Sequence, residues 1–412
     1  MLKQLAIASA VVVAVSGCEI RIDDDSIKGS GHIVTETRTV SSFDALENTS
    51  PFDVELVVDG KNSIEVEGDD NFVKEVEAVV ENNTLVIRNK RRGSFHFSWK
   101  NRPTTVKISA VKLVKLSNSG SGDIRARGVN SDKFELRSDG PGDVQISGST
   151  GELDFRASGS GDVNMRQFNS KKVKLEMSGP GDVEMGEINQ SLDANQSGSG
   201  ELNVVKMTVE YVKAHIDGPG GMNLRGATKS LEAEVSGSGD LSVEQIQAEK
   251  TSVTMSGPGE VNLAGETKIL VLRMSGSGSF DASRLRVVDA DIRNSGPGDL
   301  DVKTIHGNLT LDHSGSGEAD IDMAAAGNIE LNADGPGSIN LRGSGKKLTA
   351  TLNGSGDLQA SELVLDLASV KVNGPGEARV NVKAAVETHV DENSSRRGSR
   401  VVVVDRNGVV KN

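Results

Sequence analysis

A Gly-x-Gly turn recurs fourteen times between Gly120 and Gly376. Its steps alternate strictly between two nearly equal lengths, as from Gly120 to Gly140 and from Gly140 to Gly159. The residue between the two glycines alternates as well, serine in one unit and proline in the next. Such a fixed period predicts a solenoid, a stack of similar coils that each contact only their neighbours. The units begin at Gly120, Gly140, Gly159, Gly179, Gly198, Gly218, Gly237, Gly257, Gly276, Gly296, Gly315, Gly335, Gly354 and Gly374.

Apolar residues occupy alternate positions on both sides of each turn. The residues four and six positions after the first glycine are apolar in all fourteen units, with a polar residue between them, as in Val163, Asn164 and Met165. The residue four before the glycine is always apolar, and the residue six before is apolar in every unit except at Thr251. This alternation predicts two strands per unit that each bury one face. We therefore expect an all-β protein, a parallel β-helix or β-solenoid of about fourteen units.

The turns have a consistent composition. We expect their glycines to supply positive φ angles and their prolines to preset a corner. A Ser, Asp or Asn precedes each first glycine, and such side chains commonly bond to nearby backbone N–H groups. A second corner near the middle of each unit carries an apolar residue after Gly-Ser-Gly, as in Val129 and Phe168, and often a glycine after Gly-Pro-Gly, as in Gly148 and Gly226.

Two coil sizes are compatible with the repeat. A coil of one unit, about 20 residues, would place serine turns over proline turns. A coil of two units, about 39 residues, would place serine turns over serine turns and proline turns over proline turns. Small inward residues such as Ala194 and Ala214 favour the smaller coil, because they could not fill a wide interior. Fourteen such coils would make a rod of ~65 Å, and seven larger ones a rod half as long.

The composition limits the partners of the chain. Its 412 residues carry a net charge of −13, and only 3% of them are aromatic. Nucleic-acid binding requires basic surface and often aromatic platforms, so we expect no nucleic-acid partner.

The single cysteine, Cys18, closes a short N-terminal signal sequence. Lys3 precedes an apolar run from Leu5 to Val15, which is shorter than a membrane-spanning helix requires. Val15-Ser16-Gly17-Cys18 resembles a bacterial lipobox, and an ordinary signal peptide with a stray cysteine is the alternative. We expect lipidation of Cys18 and attachment to a membrane of the bacterial envelope, the outer membrane being favoured over the inner, with the face left open.

The segments flanking the repeat are predicted to be mostly β-structure. Before the repeat, strands are expected within 32–40, 52–58, 63–67, 84–88 and 105–108, and one or two helical turns within 72–81. After it, residues 388–399 are expected to form a loop, followed by a strand, a turn and a short strand over 401–410. The expected organisation is a signal peptide (1–17), a tether (18–30), an N-terminal strand-rich part (31–118), the solenoid (119–382) and a C-terminal cap (383–412).

The chain resembles the GIN-domain family, whose members are described as autotransporter adhesin heads. The resemblance rests on Lys28-Gly29-Ser30-Gly31, Phe43-Asp44, Phe52-Asp53-Val54-Glu55-Leu56, Leu85-Val86-Ile87 and the Ser-Gly-Ser-Gly-Asp units that start at Ser119. It covers about residues 28–380 and implies a β-helix-like fold with no established catalytic residues. The short stretch after the last repeat is too small for a membrane barrel, so a lipid would replace the barrel as anchor.

An acidic residue stands three positions after the first glycine in eleven of the fourteen units. Stacked coils would place these carboxylates in a ladder at ~4.8 Å spacing, where like charges repel. Calcium would relieve the repulsion, and bonds from turn N–H groups to solvated carboxylates are the favoured alternative. Gly221, Ser279 and Ser338 interrupt the ladder. Its members are Asp123, Asp143, Asp162, Asp182, Glu201, Asp240, Glu260, Asp299, Glu318, Asp357 and Glu377.

Basic and aromatic residues interleave in one segment, RNKRRGSFHFSWKNR over 88–102. This segment could contact anionic lipid or acidic glycan near the anchored end, or its aromatics could cover the open end of the solenoid. The cap is favoured, and the two roles are compatible. The contact residues would be Arg91, Arg92, Phe95, Phe97, Trp99 and Lys100.

The sequence offers no motif for catalysis. Its six histidines are scattered, and none has a partner at metal-ligand or catalytic spacing. The leading hypothesis is a non-enzymatic envelope lipoprotein whose solenoid surface serves adhesion or ligand binding, with a glycan or an envelope component as partner and no cofactor. A β-helix enzyme similar to polysaccharide lyases, and a structural spacer, are the alternatives.

Overall fold

A computed structural model describes residues 26–91, 96–98, 102–383, 386–390, 400–404 and 410–411. Cys18 and the rest of the signal sequence lie outside the described residues, as do Arg92, Phe95, Trp99 and Lys100. The elements before the repeat are β1 (Ser26–Lys28), β2 (Ile33–Arg38), β3 (Ala45–Asn48), β4 (Asp53–Val58), β5 (Ser63–Asp69), α1 (Asp70–Val73), β6 (Val76–Glu81), β7 (Thr84–Asn89), β8 (His96–Ser98), β9 (Thr105–Ala110) and β10 (Lys115–Asn118).

The repeat forms a stack of parallel strands. In most units the two predicted strands are joined through the second corner into one long strand, because ladder hydrogen bonds continue around that corner. The strands are β11 (Ile124–Ser138), β12 (Val144–Ala157), β13 (Val163–Met177), β14 (Val183–Gln196), β15 (Leu202–Val209), β16 (Tyr211–Ile216), β17 (Met222–Thr228), β18 (Ser230–Val235), β19 (Leu241–Met255), β20 (Glu260–Met274), β21 (Ser279–Asn294), β22 (Leu300–Ile305), β23 (Leu309–His313), β24 (Ala319–Ala333), β25 (Ile339–Leu352), β26 (Leu358–Val372) and β27 (Glu377–Val382).

The register shows that each coil is a single repeat unit. Leu136 pairs with Phe155, and Phe155 pairs with Leu175, so positions one unit apart lie in neighbouring strands. The prediction of the smaller coil and of a β-solenoid with about fourteen turns is confirmed. The inward rows form one continuous hydrophobic core from Phe43 to Val382.

The turn glycines are required for a different reason from the expected one. The described glycines with positive φ include second-corner positions such as Gly148 and Gly226, but none of the Gly-x-Gly turn glycines. A Cβ on Gly140 would instead collide with the carbonyl oxygen of Gly120 in the preceding coil. The turns stack backbone on backbone, and this close approach excludes any side chain.

In several units the side chain before the first glycine bonds to the preceding coil rather than within its own turn. Ser158 Oγ donates a hydrogen bond to Asp139 Oδ1 at 2.6 Å, one coil below. Asn353 Nδ2 donates to Asp334 Oδ1 at 2.6 Å in the same way. The expected closure of the local turn is therefore replaced by a bond along the stack.

Thr251, the exception to the apolar pattern, is buried without losing its hydrogen bond. Its hydroxyl contacts Thr267 Oγ1 at 3.1 Å, and the Thr267 hydroxyl donates to the carbonyl oxygen of Ile269 at 3.1 Å. A buried hydroxyl is tolerated when it is paired in this way.

The stack continues below the first Gly-x-Gly turn. β3 pairs in parallel with β10, and β4 with β11, so residues 45–58 form a coil of their own. Its turn runs from Asn48 to Asp53 and contains no Gly-x-Gly motif. On the other side of this coil, β7 pairs in parallel with β3, and β9 with β4. The parallel stack ends there, because β6 pairs antiparallel with β7, β5 with β9, and β2 with β5. The predicted strands of this region are confirmed, but the helical prediction was wrong beyond Val73, since the alternating residues 76–81 form β6 against β7.

The ends of the described chain differ slightly from expectation. β1, inside the expected tether, pairs with β8. At the other end, β28 (Val386–Val390) continues the stack over β26, so the loop expected to begin at Thr388 overlaps the end of this strand. The predicted final strands are confirmed: β29 (Arg400–Val404) and β30 (Val410–Lys411) form an antiparallel pair. Among the described residues, no helix is long and apolar enough to cross a membrane.

Candidate functional site

The predicted carboxylate ladder is present, and its aspartates are bonded from one coil to the next. Asp123 Oδ1 accepts a hydrogen bond from the backbone N–H of Asp143 at 3.0 Å. Asp143 and Asp162 repeat the contact with the following rung, each at 2.9 Å. Each aspartate thus supplies one more acceptor to the stack, and this favourable bond offsets repulsion between neighbouring charges. Asp182, Asp240, Asp299 and Asp357 make the same contact.

The ladder has an additional first rung that the glycine motif does not mark. Asp53, in the coil below the first Gly-x-Gly turn, accepts a hydrogen bond from the N–H of Asp123 at 3.1 Å. Partial burial raises the pKa of Asp53, and the N–H of Asp123 opposes that rise. The longest uninterrupted run therefore extends from Asp53 to Glu201.

The glutamates that end each run have a different partner. The longer side chain of Glu260 accepts a hydrogen bond from Asn262 Nδ2 at 2.9 Å, and that of Glu318 accepts one from Asn340 Nδ2 at 2.6 Å. The extra methylene carries these carboxylates sideways toward the next outward row of the sheet. The glutamates thus connect the ladder with that row.

The next outward row, two residues further along each strand, is rich in carboxamides. Asn223 Nδ2 donates to Asn203 Oδ1 at 3.1 Å, and Asn164 Nδ2 donates to Glu184 Oε2 at 3.1 Å. This amide row was not predicted as a site, although its constant polarity in the repeat was visible. The signal that could have found it is the frequency of Asn and Gln at one fixed position of the unit.

A third row, again two residues further, contains several arginines. Arg166 Nη2 contacts Glu184 Oε1 at 2.6 Å, and Arg225 Nη2 contacts Glu244 Oε2 at 2.8 Å. We call the three rows together the striped face. Its members in the first half of the solenoid are Asp53, Asp123, Asp143, Asp162, Asp182 and Glu201 in the ladder, Glu55, Arg125, Gln145, Asn164, Glu184, Asn203 and Asn223 in the amide row, and Arg127, Arg166 and Arg225 in the arginine row.

A shallow groove of about 400 Å³ follows the striped face between the ladder and the amide row. Asp123, Asp182 and Asn203 lie along it. Because strand register fixes every row, the groups recur at ~4.8 Å along the axis. Such a surface can hydrogen-bond an extended ligand at many successive points.

Of the other predicted contact residues, the structure describes Arg91 and Phe97. Arg91 is exposed, and its Nε contacts Glu75 Oε1 at 3.0 Å; Phe97 lies in β8, opposite Ile27. His313 is buried, while His215 lies between Asp217 and Glu234. Within the described ranges, no three His, Cys, Asp or Glu side chains are arranged to hold a metal ion.

The fold and the striped face define a parallel β-solenoid with a repetitive polar surface. The family described as "Putative auto-transporter adhesin, head GIN domain" matches residues 42–244, 212–306 and 303–395. These matches cover most of the chain, so the protein belongs to the GIN-domain family, as the resemblance predicted.

Solved structures with some likeness to the chain come from Bacteroides and Parabacteroides. A "putative adhesin" from Bacteroides fragilis is 20% identical, with 62% of this chain and 98% of that chain covered at a TM-score of 0.37. A "putative adhesin" from Parabacteroides merdae is 14% identical, with 92% and 99% covered at a TM-score of 0.33. A "putative lipid binding protein" from Parabacteroides distasonis is 16% identical, with 88% and 99% covered at a TM-score of 0.25. Among curated proteins, none matches the chain.

Proposed function

We propose that the protein is a non-enzymatic adhesive lipoprotein of a bacterial envelope, anchored through Cys18, whose striped face binds an extended glycan or another envelope component. The observation that carries the proposal is the regular juxtaposition of the carboxylate and carboxamide rows along the groove, with the arginine row beside them on the striped face. Membership of a family described as adhesin heads supports both the adhesive role and the envelope location.

The striped face suits binding because its groups are held in place before a ligand arrives. Ladder aspartates are fixed by backbone N–H groups, and Asn164 and Arg166 both contact Glu184. Ordered side chains lose little entropy on binding, and repetition along the axis multiplies weak contacts into useful avidity.

The same regularity argues against turnover. From Asp123 to Asp182 every carboxylate has the same kind of partner, a backbone N–H of the next coil. Acid–base catalysis needs two groups whose environments differ enough to separate their roles. A row of equivalent carboxylates supplies contacts rather than a reaction centre.

The binding role is tested on the amide row, whose side chains face outward. Asn164→Ala combined with Asn203→Ala should weaken binding of the full-length protein to immobilised peptidoglycan or mucin by about tenfold, since several hydrogen bonds of ~1 kcal/mol are lost. Biolayer interferometry gives the affinities. Asn332→Ala, an outward asparagine bonded to Asp312 on another part of the solenoid, is the matched control. Undiminished binding of the double variant would remove the striped face from the proposal.

The anchor is tested separately. Cys18→Ser should abolish incorporation of a radiolabelled fatty acid and move the protein from the membrane fraction to the soluble fraction, because thioether attachment requires the thiol. Fractionation with immunoblotting measures this. A Cys18→Ser protein that stays with membranes would contradict lipid anchoring while leaving the striped face untouched.

A further inference from the structure

A second and larger groove, of about 780 Å³, lies over the strand segments that precede the Gly-x-Gly turns. It is bounded at one end by the β6–β7 turn, at Asn82 and Asn83, and at the other by Tyr211. Pairing from β7 through β3, β10, β11, β12, β13 and β14 to β16 places eight strands under it. At the usual strand spacing this groove is ~34 Å long. We call it the Tyr211 groove.

The floor of the Tyr211 groove is nearly neutral. Lys133, Glu152 and Lys172 stand in register on three successive strands. Lys133 Nζ contacts Glu152 Oε2 at 2.7 Å, and Lys172 Nζ lies 3.7 Å from Glu152 Oε1. Further along the floor, Lys115 Nζ contacts Glu135 Oε1 at 3.1 Å. Paired charges of this kind offer donors and acceptors side by side but do not attract a polyion.

Tyr211 ends this row with an exposed aromatic ring. It follows Ser191 in register, two strands beyond Lys172, the last of the paired charges, and half of its surface is exposed to solvent (50%). It is also the only tyrosine of a chain with 3% aromatic residues. An exposed ring with a polar tip is typical of binding surfaces, because it supplies a large apolar contact at low entropy cost.

We propose that the Tyr211 groove binds an uncharged oligosaccharide, with the apolar face of a sugar ring against Tyr211. The hydroxyl groups of the following sugars meet the lysine and glutamate side chains of the floor. The linear shape of the groove matches a chain of sugars, and its balanced charge disfavours uronic acids and amino sugars with free amines. This site lies apart from the striped face and goes beyond the function proposed for it.

The single tyrosine provides a direct probe of the proposal. In full-length protein labelled with ring-¹³C tyrosine, titration with cellohexaose or chitohexaose should shift the one tyrosine signal saturably. Calorimetry on Tyr211→Ala should show an affinity at least about tenfold lower, as expected when an aromatic stacking platform is removed. Tyr211→Phe should retain most of the affinity, because the ring remains.

Ile269→Ala is the matched control. Ile269 lies in the same outward row, three strands further along, and is similarly exposed (45%). Its loss should leave the affinity for the hexasaccharide unchanged. The proposal is overturned if neither hexasaccharide shifts the tyrosine signal, if Tyr211→Ala binds as tightly as the parent, or if a galacturonate hexamer binds more tightly than both neutral sugars.

Discussion

At the scale of single residues, several turns depend on one buried polar side chain. The position two residues before the first glycine is buried, and in several coils its polar side chain pairs with a turn carbonyl. Asn118 Nδ2 donates to the oxygen of Gly122 at 3.1 Å, Asn294 Nδ2 to that of Gly298 at 2.8 Å, and His313 Nε2 lies 3.0 Å from that of Gly317. His313 thus bonds the turn carbonyl in its coil as Asn294 does in the coil directly below.

His313 should make the stability of the protein depend on pH. Burial lowers the pKa of its imidazole below the ordinary value of 6.5, and the bond to Gly317 only partly opposes this. The unfolded chain therefore takes up the proton first, so the free energy of unfolding should fall as pH drops below about 6.5. In His313→Asn this contribution should disappear. Chemical denaturation at pH 8 and pH 5 measures the difference.

The comparison of His313→Asn with the parent at pH 8 serves as the control for the comparison at pH 5. At pH 8, where His313 is neutral, His313→Asn should be within about 1 kcal/mol of the parent, because the amide can replace the bond to Gly317. At pH 5 the variant should be the more stable of the two. Equal loss of stability in both proteins between these pH values would mean that other groups control the acid response.

At the scale of elements, the turn is defined by the closeness of stacked backbones. Gly220 and Gly221 are adjacent in one turn but have different surroundings. A Cβ on Gly220 would collide with the carbonyl oxygen of Gly200, whereas a Cβ on Gly221 would meet only the carbonyl oxygen of Asp240, at 3.3 Å. The pair separates the effect of stacking from the general effect of adding a methyl group.

Gly220→Ala should destabilise the solenoid by about 3 kcal/mol, because the backbone of the preceding coil must shift to admit the methyl group. Gly221→Ala should change the free energy of unfolding by less than about 1 kcal/mol, since a small local shift accommodates it. Urea denaturation measures both. Similar losses for the two variants would show that the backbone of this turn has more room than the stacking implies.

At the scale of the whole molecule, the alternation of serine and proline turns reflects an alternation of large and small second corners. Gly148 lies between Val129 and Phe168, and Gly265 lies between Ile246 and Leu285. The proline unit after Gly296 carries Thr304 at this position, and its strand is interrupted between β22 and β23. Two neighbouring coils therefore form the packing unit, although each coil is only one repeat long.

This pairing predicts which deletions the solenoid tolerates. Removal of residues 237–275, two units, leaves Gly226 below Leu285 and preserves the alternation, so the shortened protein should keep a single cooperative transition close to that of the parent. Removal of residues 257–275, one unit, stacks Ile246 directly on Leu285 and should cost about 1–3 kcal/mol through overpacking. Thermal unfolding followed by circular dichroism compares them. A two-unit deletion less stable than the one-unit deletion would contradict the pairing.

The sequence alone determined the architecture of the repeat. Strict alternation around a fixed turn admits one inward face per strand, so the core rows and the ladder positions could be predicted from residues such as Leu136, Phe155 and Asp143. Small inward residues favoured a coil of one unit, and the strand register decided it. These features are local and repeated, and each unit supplies independent evidence for the same geometry.

The tertiary structure decided what depends on neighbouring coils. Three features follow from which strands lie side by side. The coil below leaves no room for a Cβ on the turn glycines, Asp53 begins the ladder, and Lys133 and Tyr211 border one groove. The placement of β3 between β7 and β10, and of β4 between β9 and β11, could not be predicted, because the turn between β3 and β4 lacks the glycines of the motif. The periodicity of the sequence determines where each residue lies within its coil. The contacts between coils depend in addition on the order in which the coils are stacked, which only the tertiary structure shows.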